Sequence, residues 1–330
     1  MNLRAMAGAA TLIALVALTA CTPAAAPVPD ATPVSQNTAT PQDASSPEPS
    51  VLPVEAEELP SPTPEPPLAA RVNGQPLVLA DYEHALEQYE ADLNFRGIDP
   101  TSEAGQSEME QAKPWILNVM IEQILIEQEA ADVGVVVSDA EVDAYLESVI
   151  EENDGEEAFL AELAERGETY ESAWKGVRIG LLGMAMTQRV VDAVPTTAEQ
   201  VHARHILVDT LEEAERVLNQ LQASADFAAL AQAYSQDLST RDRGGDLGFY
   251  PRGILVAPEI EEVSFALQPG QFSGVISSTL GYHIVQVIER DPAREVSPEN
   301  LRLLQERAVQ EWVEGLWASA SVERYVEANP

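Results

Sequence analysis

Apolar residues between positions 80 and 191 recur at helical spacing. They return every three to four residues, as on the buried face of a helix. The second repeat is the broadest, because Trp115, Ile121 and Leu125 fall on one face. We predict a mostly helical region over residues 69–195. It opens with a hairpin turn at Asn73-Gly74, followed by helices near 81–95, 109–131, 139–151, a short one before Gly167, and 170–191.

Capping residues mark several of these helix ends. Gly134 ends the second helix, at a position that favours positive φ. Ser138 and Glu141 form a capping box for the third helix, in which each side chain bonds the other's backbone N–H. Pro195 closes the region, because proline cannot continue a helix.

The last periodic segment predicts a single helix from Ser297 to about Glu327. Ser297 can cap this helix, and Pro298 occupies its first position, where a missing N–H costs little. A lone helix must bury its apolar face. We therefore expect residues 296–328 to pack on the helical region. The apolar positions are Leu301, Leu304, Trp312, Leu316, Val322 and Tyr325.

Residues 200–290, the middle domain, have a mixed pattern. The segments 203–208 and 281–288 combine alternation with β-branched residues, so both are predicted strands. Amphipathic helices are expected at 211–221, 226–234 and 258–267. The predicted order is β-α-α-β-α-β-β, which makes this an α+β domain of ordinary size.

The N-terminus carries a targeting pattern. Arg4 precedes an apolar run too short for a comfortable membrane span, which predicts a signal peptide over residues 1–20. The run ends in Leu-Thr-Ala-Cys at 18–21 and resembles the bacterial lipobox, in which the cysteine is lipidated after cleavage. Cys21 is the only cysteine in the sequence, so we expect it to carry a membrane anchor. The alternative is an ordinary signal peptide with an incidental cysteine.

Residues 21–68 have the composition of a tether. The stretch 22–67 contains 13 prolines and no lysine or arginine. Such a segment cannot build a core, and we predict a disordered linker. It serves either as a spacer from a surface or as a passive tail.

Charge and composition exclude several classes of function. The chain has 330 residues and a net charge of −37. Nucleic acid is therefore not an expected partner, because phosphate binding needs clustered Lys and Arg. One cysteine and four histidines predict no metal site and no internal disulfide. Residues 69–199 hold 28 acids and seven bases, so the acidity belongs mainly to the helical region.

Four short motifs give the middle domain a family resemblance. They are His-Ile-Leu at 205–207, Asp-Phe-Ala-Ala-Leu-Ala at 226–231, Gly-Gly-Asp-Leu-Gly-Phe at 244–249 and Gly-Tyr-His-Ile-Val at 281–285. With these motifs, residues 202–290 resemble the parvulins, a family of peptidyl-prolyl cis–trans isomerases. The resemblance implies an enzyme that accelerates the rotation of X–Pro bonds without a cofactor.

This reaction makes modest chemical demands. An X–Pro bond prefers trans only slightly, yet it isomerises in tens to hundreds of seconds. The barrier is roughly 18–20 kcal/mol, because the amide must lose its resonance. An enzyme can lower it by binding the twisted amide better than either planar form. That requires an apolar slot for the proline ring and polar groups around the carbonyl, but no covalent nucleophile.

The resemblance assigns four polar site residues. His205 and His283 match paired histidines on adjacent strands, Asp237 a position occupied by Cys or Asp, and Ser278 a hydroxyl near the last strand. We expect these four side chains to form one hydrogen-bonded network that orients the imidazoles. Asp237 would favour the twisted state electrostatically. The alternative role for Asp237 is to cap a turn.

The resemblance also assigns an apolar prolyl pocket. Its expected members are Leu255, Val256, Ile260 and Phe265. The family commonly has Met followed four residues later by Phe, whereas this chain has aliphatic residues and one extra loop residue. Aliphatic side chains can still line a slot of this size.

The flanking segments resemble the helical chaperone region of SurA-type and PrsA-type foldases. The matching stretches are Val-Asn-Gly at 72–74 and Val-Ser-Asp-Ala-Glu-Val-Asp at 137–143. The expected fold is a parvulin-type α+β domain beside a mostly helical SurA-like domain, with an N-terminal disordered tether. The expected function is an extracytoplasmic, membrane-anchored foldase for exported chains that contain X–Pro. The alternatives are a client-holding chaperone with a silent parvulin domain and a purely structural surface lipoprotein.

Overall fold

The computed structural model describes residues 66–326, so the predicted signal peptide, Cys21 and nearly all of the tether lie outside the described residues. The strands and helices, numbered in chain order, are β1 Leu68–Val72, β2 Gln75–Val78, α1 Leu79–Phe95, α2 Glu103–Val133, α3 Asp139–Glu152, α4 Glu156–Glu165, α5 Tyr170–Asp192, β3 Thr197–Val208, α6 Leu211–Gln222, α7 Phe227–Tyr234, β4 Asp246–Pro251, α8 Pro258–Ala266, β5 Ile276–Ser278, β6 Gly281–Glu295, α9 Pro298–Ser319 and β7 Val322–Arg324. Among the described residues, none of the helices has the length and apolarity needed to cross a bilayer.

The helical region contains the five predicted helices in their predicted order. Its largest core lies between α2 and the small antiparallel sheet β2-β1-β7, with Ile116, Ile121 and Val72 almost fully buried. Helix α2 begins at Glu103, six residues before the predicted start near 109. Ser102 provides the signal, because its Oγ accepts from the Gly105 N–H at 3.1 Å and caps the helix.

The predicted caps are confirmed. Gly134 ends α2 with a φ of 73°. Glu141 N–H donates to Ser138 Oγ at 3.3 Å, and Ser138 N–H donates to Glu141 Oε2 at 2.7 Å, which completes the capping box. Asn73 and Gly74 both have positive φ, as the predicted hairpin requires.

The C-terminal helix differs from the prediction. Helix α9 ends at Ser319 rather than near Glu327, and Val322–Arg324 instead forms β7 on the edge of β1. Asn73 fixes this change of direction, because its side chain accepts from Ser321 N–H at 2.8 Å. Val322 is therefore partly buried and packs against the core beside β1, whereas Tyr325 stays 52% exposed. The last turns of α9 do contact the helical region, where Trp317 Nε1 donates to Glu122 Oε2 at 3.2 Å.

The middle domain is built on an antiparallel sheet with the order β4-β3-β6-β5. Helices α6 and α7 cover one face, where Ile206 and Ile284 lie in the core. Helix α8 covers the other face, where Ile260 packs on Val285. His205 is paired with Val285 across β3 and β6, so it lies on the α8 face. The α+β class predicted for this domain is confirmed.

Candidate active site

The two motif histidines lie on one face of the sheet. His283 is two residues from Val285 on β6, and Val285 is the cross-strand partner of His205. Alternation along a strand then places both imidazoles on the same side. Their ring centroids are 5.7 Å apart and the rings are nearly parallel, with an interplanar angle of 19°. His205 is 6% exposed and His283 is fully buried.

Asp237 reaches His205 from the free edge of β3. Strand β4 pairs with β3 only as far as Arg204, which leaves the end of β3 open. The segment after α7 fills this edge: Gln236 N–H donates to Leu207 O at 2.7 Å, and Leu207 N–H donates to Ser235 Oγ at 3.2 Å. This edge pairing carries Asp237 to His205, 2.7 Å from Oδ2 to Nε2.

The Asp237 carboxylate accepts four hydrogen bonds. Oδ1 accepts from the Ser239 N–H at 3.0 Å and from the Ser239 hydroxyl at 2.6 Å. Oδ2 accepts from His205 Nε2 and from the Thr240 hydroxyl. Asp237 therefore caps a turn and holds a histidine at the same time.

These hydrogen bonds determine the charge of Asp237 and the proton position on His205. Partial burial acts to raise the pKa of Asp237, but the donors Ser239, Thr240 and His205 outweigh it and hold the pKa well below its usual range. An ionised carboxylate only accepts hydrogen bonds, so His205 must donate from Nε2. Its Nδ1 is buried and has no hydrogen-bond partner among the described residues.

Ser278 forms a second pair with His283. The Ser278 hydroxyl lies 2.8 Å from His283 Nε2 and also accepts from the Leu280 N–H at 3.0 Å. Burial, together with the nearby His205, lowers the pKa of His283 to about 4. His283 is therefore a neutral imidazole at physiological pH.

The four polar residues form two pairs rather than the single network predicted. The pairs His205–Asp237 and His283–Ser278 meet only through the stacked rings. Neither Nδ1 atom finds a hydrogen-bond partner among the described residues. Two adjacent buried imidazoles thus present unpaired polar atoms, a feature that in native structures calls for an explanation.

The four predicted pocket residues differ in how deeply they are buried and in which apolar cluster they contact. Phe265 and Ile260 are about 5% and 4% exposed and lie in separate apolar clusters. Leu255 is partly buried and packs against both clusters, so it joins them. Val256 is 88% exposed and belongs to neither.

Sequence reasoning missed two residues near the histidines. Thr240 lies 3.2 Å from His205 Nε2 and also bonds Asp237; its place three residues after Asp237 was the available signal. Leu247, within the Gly-Gly-Asp-Leu-Gly-Phe motif, is partly buried and packs on the Phe265 cluster with Leu255. Within the described part of the chain, no three His, Cys, Asp or Glu side chains group as metal ligands would.

Comparisons with known families agree with this geometry. The Rotamase family, described as a PPIC-type PPIASE domain, matches residues 201–289. The SurA-like N-terminal domain family matches residues 61–163. The sheet, its helices and the paired histidines thus define a parvulin-type peptidyl-prolyl isomerase domain attached to a SurA-like helical domain.

Individual relatives extend the match beyond one domain. Foldase protein PrsA of Caldanaerobacter subterraneus subsp. tengcongensis is 31% identical over 234 residues, which cover 66% of this chain and 72% of that protein. The chain therefore belongs to the PrsA family of foldases. Foldase protein PrsA of Halalkalibacterium halodurans is 43% identical over 111 residues, 33% of either chain. Chaperone SurA of Nitrosospira multiformis is 37% identical over 158 residues, 42% of this chain and 35% of that one. The chain thus spans about a third of the length of these last two relatives.

Among solved structures, PrsA from Bacillus anthracis aligns with a TM-score of 0.41 and 26% sequence identity. The alignment covers 62% of this chain and 94% of that one.

Proposed function

We propose that the chain catalyses cis–trans isomerisation of X–Pro bonds in unfolded or partly folded exported polypeptides, at the site formed by His205, Asp237, His283 and Ser278. The main support for this proposal is the stacked pair of buried imidazoles. One imidazole is held by an ionised carboxylate and the other is neutral. Rotation about the X–Pro bond breaks no covalent bond, so the proposed catalysis needs no nucleophile.

The buried imidazoles favour the twisted amide. A planar amide is stabilised by resonance and is strongly polar, whereas a twisted amide has lost that resonance. A site that removes water destabilises the strongly polar planar forms relative to the twisted one. Asp237 acts by holding the His205 ring in place through Nε2 and by its negative charge beside the ring.

The proline ring would sit against the partly buried apolar side chains beside the histidines. Leu255 joins the two apolar clusters, and Leu247 and Ile276 lie at their margins. Ile276 is the cross-strand partner of His283, which supports its place on the same face. In this proposal the buried Ile260 and Phe265 form the floor beneath the slot, whereas Val256 has no part in it.

A peptide assay tests the isomerase claim. The exchange rate of an Ala-X-Pro peptide, measured by NMR, should rise with the unmutated chain. It should fall close to background with the double variant H205A/D237A, because both members of the held imidazole pair are lost. The variant H84A is the control, since His84 lies on α1 with its side chain 52% exposed. No acceleration by the unmutated chain contradicts the claim.

We also propose that the helical region holds unfolded clients. The support is the match to SurA-like N-terminal domains and to relatives named as chaperones. If this is correct, H205A/D237A should still suppress aggregation of an unfolded client as well as the unmutated chain does. Loss of this activity in the double variant would place client holding in the middle domain.

Finally, we propose that Cys21 is lipidated and anchors the foldase on the outer side of a membrane. The support is the lipobox-like sequence at 18–21 and the proline-rich segment that follows it. The variant C21S should move from the membrane to the soluble fraction and lose incorporation of a labelled fatty acid. An unchanged membrane fraction contradicts the anchor.

A further inference from the structure

The loop between β4 and α8 carries the prolyl-pocket residue Leu255, yet it has no regular structure of its own. Gly253 in this loop has a φ of 91°. Helix α8 begins without a side-chain cap, and its first residue is Pro258. Consecutive backbone N–H groups of the loop therefore need partners from elsewhere.

Glu261 supplies these partners. Both of its carboxylate oxygens lie 2.8 Å from Gly253 N. Oε2 also accepts from Ile254 N–H at 3.1 Å and from Leu255 N–H at 3.4 Å. Charge-assisted hydrogen bonds of this kind are stronger than neutral ones. A single side chain on the first turns of α8 thus fixes three successive peptides of the pocket loop.

The opposite side of the same loop is held by α9. Arg307 Nη1 donates to Gly253 O at 3.1 Å. A Cβ built on Gly253 would lie 3.2 Å from Leu304 Cδ2, so the helix surface approaches the loop closely. Gly253 is therefore bonded through its N–H by Glu261 and through its carbonyl by Arg307.

Helix α9 also contacts the helical region. Leu316 and Trp317 pack against the core formed by α2 and β1, and they lie nine and ten residues beyond Arg307 on the same helix. We propose that Glu261 is a positioning residue for the prolyl pocket, and that Arg307 extends this support to the helical region through α9. The inference rests on the proposed isomerase function. It adds residues that determine pocket shape without touching the reacting amide.

Variants of Glu261 test the first half of the proposal. E261A in the full chain should lower kcat/KM for an Ala-X-Pro peptide about tenfold, mainly through a higher KM, because the misplaced loop weakens proline binding. E261Q keeps one acceptor oxygen and should lose less. The matched control is E262A, which removes an exposed carboxylate from the neighbouring position of α8 and should change kcat/KM less than twofold.

A second readout separates positioning from general destabilisation. Amide hydrogen exchange at Gly253, Ile254 and Leu255 should accelerate in E261A and stay unchanged in E262A. Exchange in β3 and β6 should remain unchanged in both variants. Loss of activity without faster exchange in the loop overturns the positioning role, and so does faster exchange without a rise in KM.

Variants of Arg307 test the second half. R307A should raise KM about threefold, and R307K should restore most of the loss because lysine can still donate to Gly253 O. The matched control is R302A, which removes a similar i,i+4 ion pair, to Glu306, from the same helix. Equal effects of R307A and R302A overturn the link to α9.

The unmutated chain distinguishes this inference from the function on which it rests. An inactive unmutated chain contradicts the isomerase function and overturns the inference with it. An active chain whose KM is unchanged in both E261A and R307A overturns only the positioning role.

Discussion

Burial of His283 couples the stability of the site to pH. The pKa of this histidine falls from an ordinary value near 6.5 to about 4 in the folded chain. Between these values the unfolded chain binds a proton that the folded chain does not, so stability decreases as pH falls. We predict full stability above about pH 6.5 and a loss of about 3 kcal/mol by pH 4. Urea unfolding at several pH values measures this change in the free energy of unfolding.

The variant H283Q is the control for this pH dependence. It removes the titrating group but keeps a side chain that can bond the Ser278 hydroxyl. Its unfolding free energy should change much less between pH 6.5 and 4.5, a window in which Asp237 and Asp246 stay ionised because their pKa values are lowered. An equal slope in H283Q and the unmutated chain contradicts the assignment to His283.

Gly245 is required by the close approach of two backbones at the site. Its φ is 80°, and a Cβ there would lie 2.0 Å from His205 O. We predict that G245A destabilises the middle domain by about 3 kcal/mol or more and disrupts the His205–Asp237 pair. The control G248A shares a positive φ of 71° but meets no atom within 4 Å, so it should cost only about 1 kcal/mol. Thermal unfolding measures the stability of both variants. Equal losses of stability in G245A and G248A would contradict this account.

At the scale of residues, sequence motifs predicted the histidines, Asp237 and Ser278, but not how they pair. The pairing depends on the segment after α7, which bonds the open edge of β3 and brings Thr240 to His205. No periodicity encodes such an edge contact. The catalytic roles of these residues stay predictions until the variants are measured.

At the scale of elements, β7 and α9 connect the two ends of the described chain. Strand β7 pairs with β1, and the partly buried Val322 packs against the core of the helical region. We predict that truncation after Ala320 lowers the free energy of unfolding of the helical region by about 2 kcal/mol or more, because it removes apolar burial and a strand. Urea unfolding followed by circular dichroism measures the change.

The control for this truncation is Y325A. Tyr325 is 52% exposed and its hydroxyl bonds only Glu323 within the described chain, so its loss should cost less than about 0.5 kcal/mol. A truncated chain as stable as the unmutated one contradicts the structural role of β7.

The end of α9 shows why some elements escape sequence-based prediction. The apolar spacing of Leu316, Val322 and Tyr325 is compatible with a continuing helix. The chain leaves the helix because Asn73, almost 250 positions earlier, binds Ser321. A contact of this sequence separation cannot be found from a local pattern, whereas the caps at Gly134 and Ser138 are local and were predicted.

At the scale of the whole molecule, charge is divided between the two domains. Residues 69–199, which contain the helical region, hold 28 acids and seven bases, against 12 acids and six bases over residues 200–290. A field of one sign attracts segments of the opposite sign and is screened by salt. We therefore predict that the chain suppresses aggregation of a basic unfolded client better at low than at high ionic strength. Light scattering measures the aggregation of the client at each ionic strength.

An acidic client of similar length provides the comparison. Its aggregation should be suppressed less at low salt, and the difference between the two clients should shrink as salt rises. Suppression that ignores both client charge and ionic strength contradicts an electrostatic contribution and leaves apolar contacts as the basis of client holding.

This PrsA-family foldase is proposed to act as an isomerase and not only as a holding chaperone. The most direct measurement is the refolding rate of a client whose slow phase is limited by an X–Pro bond. The unmutated chain, present at one-tenth of the client concentration, is predicted to accelerate that phase, while H205A/D237A at the same concentration does not. Equal rates with the unmutated chain, the double variant and buffer would contradict the claim.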